Sequence, residues 1–170
     1  IRPDDVTQLA ALQADLLVSS AELVAPGGRL IYSVCTITAA ESVDHATPAG
    51  FEVDPRLLAD SIEVMDLPLC AVRLVDDSRW PWVLLIPRRA GARELFDLDA
   101  PDRAVLVEEA AGVARALTGV GPCDKTNIAT LGNMVPQMHV HVIARQIGDA
   151  AWPGPVWGIG KPVPYSPAER

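Results

Sequence analysis

The chain has 170 residues, 49% of them apolar and 21% charged, with a formal net charge of −8. That is enough for one ordinary domain plus an appendage, and the composition is that of a globular chain with no apolar run near the roughly 20 residues that span a bilayer, so no membrane partner is expected. The acidic balance argues against nucleic acid as a partner, because there is no basic excess to neutralise phosphates; a small phosphate-bearing ligand needs only a few local donors.

Taken in chain order, residues 4–24 carry Leu9, Leu12, Leu16, Leu17 and Leu23 at helical spacing, and Pro26-Gly27-Gly28 stops that helix. GRLIYSVCTI (28–37) reads as a buried strand, and the polar, turn-rich stretch 38–50 as a domain boundary. DPRLLADS suits a short helical turn. CAVRLVD (70–76) and WVLLIPRR (82–89) read as strands joined by the turn DSRWP. Residues 101–117 are the best helix in the chain. Pro101 fits its first position, Gly119 and Gly121 follow its end, and Val105, Leu106, Ala110, Val113, Ala114 and Leu117 form its apolar stripe. KTNIATLG (125–132) and QMHVHVIAR (137–145) are two further strands with a short connection. The order strand, strand, helix, strand, strand, with short links inside each pair, predicts an antiparallel sheet with one main helix on a face, an α+β fold. The tail from Ala150 is rich in Pro, Gly and Trp and needs something to pack on.

Cys35, Cys70 and Cys123 are widely spaced and form no C-x-x-C pattern, so they read as reduced, mostly buried thiols in a cytoplasmic setting. No basic n-region precedes an apolar stretch, so no signal peptide is expected.

Chemistry concentrates in QMHVHVIAR. Alternation along a strand puts Gln137, His139 and His141 on one face and Met138, Val140 and Val142 on the other, toward a core. On spacing alone the polar row is a half-exposed strand, a metal pair or a catalytic pair; no third His, Cys or acidic residue stands nearby in sequence to complete a metal site.

The surrounding stretch resembles the histidine triad (HIT) superfamily, whose core pattern is H-φ-H-φ-H-φ-φ, with φ apolar. The register here is Gln137-Met138-His139-Val140-His141-Val142-Ile143. AWPGP (151–155) is similar to the family's Trp-Pro pair after the motif, and VLLIPRR to its strand that ends in Pro and basic residues. The resemblance covers about residues 51–158 and implies covalent catalysis on a nucleotidyl phosphorus. His139 matches the nucleophile that forms a nucleotidyl-histidine, and His141 the histidine that supports phosphate oxygens or the leaving group. Gln137 stands where the first histidine would be and cannot titrate near neutral pH. Asp76, Asn127 and Trp152 fall where nucleotide contacts are implied, and Arg145 is within reach of a phosphate. The implied substrate is a purine mononucleotide derivative or a dinucleoside polyphosphate, with no metal or cofactor, and the implied state is a homodimer with the sheets joined. The other reading is a non-catalytic nucleotide-binding or adaptor module.

GGRLIYSVCTITAAES (27–42) resembles the end of the catalytic domain of Sun-type (NOL/NOP/Sun) RNA 5-methylcytosine methyltransferases, with Cys35 at the nucleophile position. The cofactor loop and second cysteine motif of those enzymes are absent from this sequence. Residues 1–50 are therefore expected to be a partial methyltransferase-like unit with Cys35 idle, residues 51–158 a HIT-like domain, and 159–170 a tail. A third reading makes the chain a fragment of an rRNA cytosine-5 methyltransferase fused to a HIT-like domain.

Overall fold

The computed structural model describes residues 50–166. The helix and strand expected over 4–24 and 28–37, and Cys35 with them, lie outside the described residues, as do residues 167–170.

The described chain opens with a short helix, α1 (Pro55–Ala59), whose N-cap Asp54 accepts a hydrogen bond from the Arg56 amide at 2.9 Å. Strands β1 (Ser61–Asp66), β2 (Cys70–Val75) and β3 (Trp82–Pro87) follow. After them come helix α2 (Ala100–Leu117) and strands β4 (Lys125–Ala129) and β5 (Val140–Arg145). They form one five-stranded sheet in the order β1-β2-β3-β5-β4, with every pairing antiparallel. The expected α+β arrangement, an antiparallel sheet with one main helix, is what the structure shows.

Strand β1 is the element that sequence reading passed over. Its SIEVMD segment is mostly exposed and its register on β2 shifts between Glu63 and Met65. An edge strand that buries neither face consistently and carries a bulge has no period-2 signal to read. The motif strand also begins later than expected: Gln137, Met138 and His139 precede it, and the ladder starts at Val140.

Helix α2 forms where the sequence placed it. Asp99 caps it by accepting from the Asp102 amide at 2.8 Å, and Pro101 sits in its first turn. Its buried stripe, Leu106, Ala110, Ala114 and Leu117, packs on one sheet face made of Cys70, Val72, Val83, Leu85, Val140, Val142 and Ala144. Glu109 reaches from the helix to accept from the amides of Leu69 (2.7 Å) and Cys70 (3.1 Å), which ties the start of β2 to the helix. Cys70 is fully buried, and that burial, with the Glu109 carboxylate beside it, pushes its thiol up, so it packs as a small apolar residue.

Among the described residues, no long helix lies on the other face of the sheet. One cluster there joins Trp80, Trp82, Ile143, Ala151 and Val156, and a second joins Phe51, Leu57, Leu84 and Ile86. Irregular chain from both ends of the described region covers this face, and the histidines lie on it.

Candidate active site

His141 is the second residue of β5 and pairs with Leu84 of β3 on one side and Ala129 of β4 on the other. It is buried, 8% exposed, as is His139 at 6%. The alternation read from the sequence holds: Met138, Val140 and Val142 are in the core under α2, and the histidines share the opposite face. Their rings meet edge to face with centroids 4.8 Å apart.

Each imidazole has one nitrogen committed. The Nδ1 of His139 is 2.6 Å from the main-chain carbonyl of Gln137. A carbonyl only accepts, so Nδ1 carries a proton, and in the neutral ring Nε2 keeps its lone pair. His141 is set the other way. The indole Nε1–H of Trp82, which can only donate, points at its Nδ1 at 3.0 Å. In the neutral ring the proton is then on Nε2. Burial first, and the neighbouring His139 second, push the pKa of His141 down to about 3, so it stays neutral through the physiological range. The site thus holds one imidazole with a free lone pair beside one that presents an N–H.

Two tryptophans enclose His141. Trp82 is diagonal to it across the β3–β5 ladder, ring centroids 5.5 Å apart, and Trp157 from the tail stands edge-on at 5.2 Å. Sequence reading left Trp82 as an ordinary strand residue. Its one signal was a bulky ring with an N–H to satisfy at the head of an otherwise aliphatic strand, WVLLIP.

Gln137 is on the same side as the histidines, and both ends of its amide are engaged. The Oε1 accepts from the Asp54 amide and the Nε2 donates to the Glu52 carbonyl, each at 2.8 Å. The side chain therefore clamps the extended segment before α1, while its own carbonyl orients His139. That segment walls a cavity of about 670 Å³, also bordered by Pro55, Leu58, Glu63 and Arg73, and neither histidine lines it.

Arg145, expected within reach of a phosphate, is instead a buried staple at 1% exposure. Its guanidinium binds both carboxylate oxygens of Asp149 (2.6 and 2.8 Å), the amide oxygen of Asn127 (2.9 Å) and the carbonyl of Gly154 (3.0 Å). Four of its five N–H donors are engaged in this way and the side chain is buried, so it acts as a staple. Asn127 thus turns its oxygen away, toward Arg145. Trp152 is partly exposed beside Arg145, 5.8 Å from guanidinium carbon to ring centroid; the tryptophan of the tail that meets the histidine is Trp157.

Asp76 lies just past β2, and its carboxylate accepts from the Tyr165 amide at 2.9 Å. The chain from Ile159 to Tyr165 is fastened along this turn. Arg79 donates to the Ile159 carbonyl (2.6 Å), the Ser78 amide donates to Val163, and the Val163 amide donates to Asp77 (3.2 Å). Asp77 is 2% exposed and also grips Arg79 through both carboxylate oxygens. The hydrogen bonds from Arg79 and Val163 outweigh its burial and hold its carboxyl below the usual range. Among the described residues no three His, Cys, Asp or Glu side chains gather as a metal site would require, and no helix is long and apolar enough to cross a membrane.

These features have counterparts among known proteins. The family model described as HIT domain matches residues 57–148, and one described as 16S rRNA methyltransferase RsmB/F matches residues 1–49. A histidine triad protein from Bradyrhizobium japonicum is 49% identical, with a TM-score of 0.69 over 71% of this chain and 90% of that one. One from Sinorhizobium meliloti 1021 is also 49% identical, with a TM-score of 0.69 over 70% of this chain and 88% of that one. A third, from Marinobacter aquaeolei VT8, is 44% identical with a TM-score of 0.68, covering 70% and 87%. No curated protein matches the chain. The paired histidines on the face of an antiparallel sheet opposite its helix, the matching family model and these structures agree: the chain belongs to the histidine triad (HIT) family.

Proposed function

We propose that the chain is a nucleotide phosphohydrolase or nucleotidyl transferase that works through a covalent nucleotidyl-histidine on His139. The observation that carries this reading is the 2.6 Å contact between His139 Nδ1 and the Gln137 carbonyl. It commits the ring proton to Nδ1 and leaves Nε2 as a neutral nucleophile, the form required to attack phosphorus. His141 supplies the complementary part: its Nε2–H donates to a phosphoryl oxygen as charge builds there. Gln137 takes no proton in this scheme; it orients His139 through its carbonyl and anchors the 52–54 segment through its amide.

The substrate is a nucleoside 5′-phosphate derivative, such as a dinucleoside polyphosphate. Asp76, Asn127 and Trp152 are the nucleotide contacts the family resemblance suggests; Asn127 retains its amide NH₂ and Trp152 a partly open ring for that role. The working form is a homodimer. Its test is trapping: incubation with a dinucleoside polyphosphate, a quench in base, and mass spectrometry of the peptide that contains His139. A nucleotidyl adduct in the parent and none in His139→Ala is the expected result. No adduct and no turnover in the parent, with nucleotide still binding by calorimetry, would make the chain a binding module instead.

A further inference from the structure

The indole of Trp82 does something no other group in the site does: it decides which nitrogen of His141 bears hydrogen. We propose that Trp82 is a positioning residue that fixes His141 as a permanent N–H donor, and that the site, having among the described residues no acid to give a proton, selects phosphorus substrates whose leaving group departs as an anion. The leaving-group part rests on the nucleotidyl-histidine reading above; the tautomer part does not.

The groups shown to contact the two imidazoles are Trp82 from β3, Trp157 from the tail, the Gln137 carbonyl, and each other. Indole and carbonyl do not titrate near neutral pH. The Gln137 amide is engaged at both ends, and the charged residue next on the same face of β5, Arg145, is held by Asp149. His141 is the remaining candidate acid. With Nδ1 already accepting from Trp82, it is a neutral imidazole, and giving up its Nε2 proton would leave an imidazolate, which is far too basic to form here. It can donate a hydrogen bond but not a proton. Burial and the His139 neighbour oppose the imidazolium that could donate one.

The step then balances as follows. The Nε2 lone pair of His139 attacks phosphorus and forms the N–P bond. The bond from phosphorus to the leaving-group oxygen breaks, and that oxygen leaves with the electron pair. The Nδ1 proton of His139 stays on Nδ1, donated as a hydrogen bond to the Gln137 carbonyl, and the cationic ring–phosphorus adduct faces the His141 N–H. Water next attacks phosphorus, the N–P electron pair returns to Nε2, and the water proton passes to solvent. No protein group gives a proton to the leaving group. Phosphate, polyphosphate, carboxylate or an acidic phenol can leave in this way. An alkoxide or an amine nitrogen cannot, because each must be protonated as its bond to phosphorus breaks.

Two measurements test this. In the first, ¹⁵N shifts of His141 are read in the unliganded protein across pH 5–8. The expected pattern is a neutral ring protonated at Nε2 throughout in the parent, with Nδ1-protonated ring appearing in Trp82→Phe, which keeps an aromatic ring and loses the donor. A parent His141 protonated at Nδ1, or a Trp82→Phe spectrum identical to the parent, overturns the assignment to Trp82. In the second, adenosine 5′-phosphate esters of phenols graded in acidity are compared with an adenosine alkyl phosphoramidate. In the parent, kcat/KM should fall by about tenfold per unit of leaving-group pKa, and the phosphoramidate should lie at least about a hundredfold below the p-nitrophenyl ester. A flat series, or a phosphoramidate turned over as well as that ester, overturns the selectivity. If no member of the series is turned over and no adduct forms, the nucleotidyl-histidine reading fails and the selectivity with it. The tautomer assignment is decided by the nitrogen shifts alone.

Discussion

His141 makes the protein sensitive to acid through a single side chain. Its folded pKa, about 3, lies well below the ordinary imidazole value, so the unfolded chain takes up a proton that the folded chain refuses. Stability is therefore full above about pH 6.5 and falls by about 1.4 kcal/mol per pH unit between there and about pH 3. Asp149, held low chiefly by its hydrogen bonds to Arg145, adds a loss of its own only below the ordinary carboxylate range. His141→Asn offers a carbonyl to the Trp82 N–H and cannot protonate. Urea unfolding as a function of pH should show its decline starting near pH 4 rather than pH 6.5. At Gln137, substitution by Ala strips partners from the Asp54 amide and the Glu52 carbonyl; a loss of about 1–3 kcal/mol in the same assay is expected. The sequence made the shared face of Gln137, His139 and His141 legible, since alternation needs only spacing. It could not show that the glutamine amide is consumed by residues 83 and 85 positions earlier, nor that Trp82 would meet His141 across the sheet. Those contacts exist only once register is set.

The elements show the same division. Helix α2 was readable almost to the residue, because its cap, its proline and its buried stripe all lie within one continuous segment. β1 was not, because its signal is spread between an exposed face and a bulge. Arg145 ties β5 to Asn127 of β4 and to the loop carrying Asp149 and Gly154. From sequence that arginine was as well suited to a ligand as to a staple; its burial decides. Arg145→Ala leaves the Asp149 carboxylate, only 11% exposed, without its cation. A cost of about 3–5 kcal/mol is expected, read as a lowered denaturant midpoint with an unchanged slope.

At the scale of the molecule, the sheet ends at β4, whose far edge has no partner among the described residues. Ile128 on that strand is 50% exposed, and Val120 and Leu131 nearby in sequence are 71% and 44% exposed. An open edge flanked by apolar side chains suits the proposed homodimer. Sedimentation should find a dimer at micromolar concentration and a monomer for Ile128→Lys. A parent that stays monomeric at that concentration would rule the dimer out.

The fastening of Ile159–Tyr165 to the turn at Asp76–Arg79 has a consequence for how the molecule opens. These bonds join positions 80 to 89 residues apart. The carboxylate of Asp77 gains its Val163 partner only once residues 159–165 have docked on the turn. Closing so long a loop is entropically costly for a few bonds at its end, which makes this the region most ready to open again. The amides of Ser78, Val163 and Tyr165 should exchange with solvent deuterium well before those of β3 and β5, and each opening withdraws the anchor that follows Trp157, baring His141 without unfolding the sheet.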